Sequence, residues 1–160
     1  MGEVEDRIKA RGIELPPAPA PMGAYVAAVT AGPLVFVSGQ LPRFGDEMRY
    51  AGKVDSEVSV ERAREAARLA ALNAVAVLKA AVGDLDRVKR IVKLTGSVAS
   101  SPGFTGQPQV VNGASEVMVE IFGDAGRHAR MAVGVAELPG RASVGIEIIA
   151  EIGPEVKPAP

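Results

Sequence analysis

The sequence predicts an α+β fold: a single mixed β-sheet with two helices on one face, its elements in the order ββαβαββ. Two observations carry this. Residues 59–84 and 109–126 repeat apolar side chains at helical spacing, whereas 24–42, 85–100, 129–137 and 143–152 alternate them as strands do. Strands and helices are interspersed, and one sheet covered by helices is the simplest way to bury both.

The elements follow in order. Residues 3–12 have modest helical character, with Val4, Ile8 and Ile13 as anchors, and "LPPAPAPMG" (15–23) is too rich in proline to continue a helix or a central strand. Residues 1–23 are therefore expected as an extended N-terminal lead-in, 24–152 as one domain and 153–160 as a flexible tail. "AYVAAVTAGPLVFVSGQLP" (24–42) gives two strands around Ala31-Gly32-Pro33. Residues 43–58 form a polar loop with a short strand near Tyr50–Lys53. In 59–84, Ser59 caps the first turn, Ala63, Ala67, Ala70, Val75 and Leu78 recur at helical spacing, and Gly83 stops the helix. In 85–100, Val88, Arg90, Val92 and Leu94 alternate against Lys89, Ile91, Lys93 and Thr95. The second helix runs through Gly113, with Val110, Val117, Ile121 and Phe122 toward the sheet. In the last strand Val144, Ile146, Ile148, Ala150 and Ile152 make one apolar face. The helices cover one sheet face; the other is left open and is a candidate subunit interface.

Composition narrows the function. The 160 residues are 48% hydrophobic and carry a formal net charge of −1, so nothing in the charge favours nucleic acid as a partner. The absence of cysteine removes thiolate chemistry, and one histidine cannot build a histidine-rich metal site. No run approaches the ~18 apolar residues of a membrane span, and "MGEVEDRIKARG" lacks the apolar core of a signal peptide, so a cytoplasmic location is expected. No phosphate loop, zinc pattern or calcium loop is present.

Six places could carry chemistry. In "GRHARMAVGVAELP" (126–139) Arg130 shares a strand face with Ala132, Gly134 and Ala136, so a permanent cation borders small side chains that leave room for a ligand. A guanidinium there suits a carboxylate, which it holds through two parallel hydrogen bonds. "FVSGQLP" (36–42) places Ser38 and Gly39 at a strand end. Ser38 has no surrounding nucleophile elbow and is far in sequence from His128, so a serine hydrolase is not expected. Asn112 near a helix start, Tyr25 in "MGAYVAAV", His128 beside Arg130, and Glu147 and Glu151 on the last strand complete the set. Singly, each has an ordinary structural explanation: a strand-end arginine, a strand-terminating turn, a helix cap, a half-buried tyrosine, a loop histidine, a solvated strand face.

Taken together and in order, "PMGAYVAAV", "VFVSGQLP", "VVNGASEVMVEIFG" and "ARMAVGVAELP…VGIEIIAEI" resemble the RidA (reactive intermediate deaminase A) family, also called YjgF and long labelled L-PSP endoribonuclease. The resemblance spans about residues 20–152. It implies a chorismate mutase-like (YjgF-like) fold and a homotrimer with clefts between subunits. The implied activity is cofactor-free hydrolysis of reactive enamine/imine intermediates, 2-imino acids such as 2-iminobutanoate, to 2-oxo acids and ammonia. On this resemblance Arg130 clamps the substrate carboxylate, while Tyr25, Ser38, Gly39, Asn112 and Ala132 line the pocket, Ala132 standing where the family often has cysteine. Counting six residues from Pro139 reaches Gly145, where family deaminases carry a water-orienting glutamate. Glu147 lies one strand repeat further, on the same face, and is the candidate for that role. Without such a base the chain would bind small carboxylate metabolites, 2-oxo acids, with little turnover. The ribonuclease label has weaker support, because phosphate binding needs clustered cations. Chorismate mutase activity does not follow from a shared fold. The first 20 residues and an insert around 43–52 exceed the short family form.

Overall fold

The computed structural model describes residues 2–155. Its elements are α1 (Glu3–Ala10), β1 (Ala28–Ala31), β2 (Leu34–Gln40), β3 (Arg43–Phe44), β4 (Glu47–Met48), α2 (Val60–Val82), β5 (Val88–Ala99), α3 (Gln107–Phe122), β6 (Ala129–Val135) and β7 (Val144–Ile152). Five strands form one sheet in the order β1-β2-β7-β5-β6, and β3 and β4 make a separate small hairpin. The sheet is mixed because α3 crosses over between β5 and β6, which run parallel, while every other pair is antiparallel. The expected order of major elements and the α+β class hold.

The core lies between the sheet and two helices on one side of it. α2 packs on β2 and β7, and α3 packs on β5 and β6. Val35, Val37, Leu94, Val98, Val144, Ile146, Ile148 and Ala150 are buried beneath them. α2 presents Ala63, Ala66, Ala67, Ala70, Ala71 and Ala74, all fully buried, so its backbone approaches its neighbours closely. Gly113 sets the α2–α3 distance: a Cβ there would come 2.2 Å from the Arg64 carbonyl oxygen. Ion pairs close the rim, Arg64 to Glu116 at 2.9 Å and Arg68 to both carboxylate oxygens of Glu120 at 3.1 and 3.0 Å. The hydrogen bond with Glu120 raises the Arg68 pKa above its ordinary value, against partial desolvation.

Ser59 caps α2, its hydroxyl accepting from the Arg62 N–H at 3.2 Å, and Gly83 ends the helix with φ 80°.

The helical character read over 3–12 holds, as α1 buries Val4 and Ile8, its Val4 N–H donates to Asp86 Oδ1 at 2.7 Å, and Arg7 Nη1 donates to the Ile121 carbonyl at 2.9 Å. Other local expectations are corrected. No strand forms at Tyr50–Lys53, because Tyr50 (φ 54°) and Gly52 (φ 127°) occupy backbone regions that a ladder does not allow; the hairpin lies earlier, at β3–β4. In β5 the simple alternation fails. Register shifts between Val88 and Arg90, and between Ile91 and Lys93, turn Ile91 into the core and leave Arg90 exposed. The expected flexible tail over 153–160 falls mostly on residues 156–160, which lie outside the described residues.

Alanine is the better helix former, yet Gly113→Ala is expected to destabilise the protein by about 1–3 kcal/mol through overpacking against the Arg64 backbone. Urea denaturation measures it; an unchanged or raised midpoint would mean that the α2–α3 contact has slack.

Candidate functional site

Directly paired residues on neighbouring strands show their side chains to the same sheet face. Leu94 pairs with Arg130 on one side and Ile148 on the other. Leu94 and Ile148 are buried under the helices, so Arg130 belongs to the helix-covered face. The next residue, Thr95, pairs with Met131 and Glu147, so Glu147 belongs to the open face. Within one chain, Arg130 and Glu147 therefore stand on opposite sides of the sheet.

Arg130 lies on edge strand β6, next to α3. Its Nη1 donates to Asn112 Oδ1 at 2.6 Å and to Ser115 Oγ at 3.3 Å. The Ser115 hydroxyl is 2.9 Å from His128 Nε2, and His128 Nδ1 is 2.6 Å from the Gly126 carbonyl oxygen. Among the described residues no carboxylate pairs with Arg130, so its charge is uncompensated. The guanidinium is exposed. Its Nε and Nη2 remain as a planar edge of the kind that matches a carboxylate.

This corrects two expectations. The room above the small residues of β6 is not empty: a Cβ at Gly134 would come 2.8 Å from Gln107 Nε2, and Ala132 packs against the core. Asn112 is not a helix cap. It sits in the second turn of α3, whose N-cap is Gly106, and serves Arg130 instead.

The open face holds the other group of expected residues. A cleft of about 490 Å³ is lined by residues that include Tyr25, Gly39, Thr95, Gly145 and Glu147, with the apolar Met22 and Leu138. Tyr25 is 52% exposed and precedes β1 rather than lying in it; its hydroxyl accepts from the Met22 N–H at 3.1 Å. Gly145 and Glu147 both line the cleft, so the two-residue displacement keeps a carboxylate at the same wall. The Ser38 hydrogen is already committed. Ser38 lies inside β2, its hydroxyl donates to the Val26 carbonyl at 2.6 Å, and its N–H donates to Ala27 O at 2.8 Å. It shapes the bulge between Val37 and Gln40 that presents Gly39. Glu151 stands two residues beyond Ile149, along the same open face.

The expected residues thus form two sets, Arg130, Asn112 and Ala132 beside α3 and Tyr25, Gly39 and Glu147 in the cleft. The open face also carries the exposed apolar side chains Val29 (53%), Phe36 (41%) and Met131 (53%). Ser115 was missed by sequence reasoning. The available signal was spacing, since it lies three residues after Asn112 and on the same face of a helix.

Among the described residues no helix is long and apolar enough to cross a membrane. Residues 5–152 match the family described as "YjgF/chorismate mutase-like, putative endoribonuclease". Protein TCP17 of Trypanosoma cruzi is 45% identical over 152 residues, 94% of this chain and 95% of that protein. The crystal structure of Atu1372 from Agrobacterium tumefaciens, a protein of unknown function, is 45% identical with a TM-score of 0.85, covering 93% of this chain and 91% of that one. Escherichia coli TdcF with bound serine (27%, TM-score 0.64; 85% and 94% covered) and RidA from a Psychrobacter species (31%, TM-score 0.61; 84% and 94%) are also similar.

Burial lowers the His128 pKa from its ordinary value of 6.5, and the Arg130 charge lowers it further, against the bond to Gly126 O. The fold therefore prefers the neutral ring, and the unfolded chain takes up the proton more readily. This contribution to stability is present above about pH 6.5 and is lost as pH falls from there through the folded value. Thermal unfolding of wild type and His128→Gln across pH 4–8 is expected to show a smaller loss at low pH in the variant; parallel curves would contradict the assignment.

Proposed function

The chain belongs to the YjgF/chorismate mutase-like family, and on that premise we propose that it is a RidA-like hydrolase of reactive 2-imino acids, releasing 2-oxo acids and ammonia. One observation carries the reading. Arg130 is a guanidinium without a carboxylate partner, tied at Nη1 and free along its Nε–Nη2 edge. That is an arrangement for a small carboxylate ligand. TdcF, a similar protein, is described with serine bound, a ligand that carries such a carboxylate.

The catalytic carboxylate in this reading is Glu147. Since Arg130 and Glu147 lie on opposite faces of one sheet, a ligand touching both needs two copies of the chain, the Arg130 face of one against the open-face cleft of the next. A homotrimer satisfies this, as each subunit then gives one face to each neighbour. The exposed Val29, Phe36 and Met131 supply apolar surface for such packing.

The chemistry asks little of the protein, because an iminium carbon is already electrophilic. Arg130 fixes the carboxylate and so places the C=N carbon. Glu147 accepts a proton from a water as its oxygen adds to that carbon, giving a carbinolamine. Glu147 then gives that proton to nitrogen and takes the proton of the carbinolamine hydroxyl as the C=O forms and the C–N bond breaks, so that ammonia leaves with the 2-oxo acid. Orientation and charge complementarity supply the acceleration. A second reading, a metabolite-binding trimer with little turnover, draws on Gly145 standing in the family's glutamate position. The carboxylate of Glu147 at the same cleft wall favours the first. Ribonuclease activity gains least support, since a net charge of −1 gives no basic track for a phosphate backbone.

A dehydratase-coupled assay, generating the imine from threonine and following 2-oxobutyrate, tests the proposal. Acceleration by the wild type is expected, with Arg130→Ala losing both acceleration and calorimetric 2-oxobutyrate binding. Glu147→Gln is expected to keep binding and lose about 100-fold in rate. Binding without acceleration in the wild type would establish the second reading; unchanged binding in Arg130→Ala would remove the clamp. Light scattering is expected to give about three chains per particle, and a monomer would contradict a shared site.

A further inference from the structure

We infer that Ser115 and His128 are positioning residues of the carboxylate site, forming with Asn112 a hydrogen-bond relay of fixed direction that holds Arg130 with one edge free. The inference rests on the proposed role of Arg130 but concerns residues to which that role assigns nothing.

The direction follows from what each group can do. A carbonyl oxygen only accepts, so the 2.6 Å contact with Gly126 O requires the proton on His128 Nδ1. The neutral ring then offers Nε2 as an acceptor, and the Ser115 hydroxyl donates to it at 2.9 Å. Ser115 has spent its only hydrogen and turns a lone pair to Arg130 Nη1, 3.3 Å away. Asn112 Oδ1 accepts from the same nitrogen at 2.6 Å. With the ring neutral every polar atom in the chain has one role, and the single hydroxyl hydrogen of Ser115 is committed to His128. The far end is anchored by packing: a Cβ at Gly126 would come 2.0 Å from the Met118 carbonyl oxygen, so this turn lies directly on the α3 backbone.

Among the described residues no other charge competes at the ring. On α3, Glu116 and Glu120 are engaged by Arg64 and Arg68 of α2, and in the preceding turn Arg127 pairs with Asp124. Arg130, on β6, is the charged group felt by the imidazole. An anion bound at Arg130 offsets that charge and makes protonation of His128 easier. A protonated Nε2 would donate to Ser115 and free the serine hydroxyl to donate to the ligand. Both effects act in one direction, so carboxylate binding and proton uptake at His128 favour each other.

The chain contains a single histidine, so its ring signals are unambiguous in NMR. Long-range 1H–15N spectra of the wild type are expected to show the Nδ1-protonated tautomer at neutral pH and an upward shift of the ring's titration on adding 2-oxobutyrate. An Nε2-protonated ring, or a titration indifferent to saturating ligand, overturns the relay. In calorimetry, Ser115→Ala is expected to weaken 2-oxobutyrate about tenfold. Wild-type affinity is expected to rise as pH falls through the His128 titration, with a flat profile in His128→Gln. Unchanged affinity in Ser115→Ala, with Arg130→Ala still losing binding, overturns the relay alone. Unchanged binding in Arg130→Ala overturns the reading beneath it.

Discussion

A β-strand cannot show two consecutive side chains to the same face, and this constraint organises the protein's chemistry. Leu94 and Thr95 are neighbours in β5. Through their partners on β6 and β7, the first assigns Arg130 to the helix-covered face and the second assigns Glu147 to the open one. Rotation of a side chain cannot undo the assignment, because a one-residue slip would also expose the buried Leu94, Ile146 and Ile148. The hydrophobic core thus holds the cation and the carboxylate on opposite sides.

The α3 helix connects this sheet logic to the site. Its seat is set by close approaches: Gly113 against α2, Gly126 against the end of α3, and Gly96 under Val111, where a Cβ would come 2.5 Å from Val111 Cγ2. With the helix held at that depth, its apolar residues enter the core, and Asn112 and Ser115, one turn apart, meet Arg130 at the sheet edge. Packing and polar positioning are performed by adjoining faces of one helix.

Much of this was legible in the sequence. The major elements, the two helices on one face and the exposed position of Glu147 beside Gly145 follow from periodicity, because hydrophobic spacing directly reports which side of an element is buried. The bulges in β5 were not legible: a register shift is settled by how β7 and β5 fit each other, and Val88-Lys89-Arg90-Ile91-Val92 permits either phase. Nor was the face of Arg130. Small neighbours on a strand signal close packing as readily as empty room, and here Gln107 and Ser100 occupy the space over Gly134. The Ser38 partner was not legible either, since its hydroxyl donates to Val26, on a segment whose path proline and glycine leave open. The pairing of Ser115 with His128 joins α3 to the turn after it, and required knowing that Gly126 folds back onto the helix.

In the proposed site one ligand is held by Arg130 of one subunit and served by Glu147 of another. Subunit complementation tests this most directly. Arg130→Ala and Glu147→Gln chains, co-expressed with different tags and purified as mixed assemblies, would contain about a quarter of sites with both wild-type side chains under random mixing. Imine hydrolysis, lost in either variant assembled alone, is expected to return in the mixed particles to about that fraction of the wild-type rate. Mixed assemblies as inactive as their parents would show that both residues must come from the same chain, and would contradict the shared site.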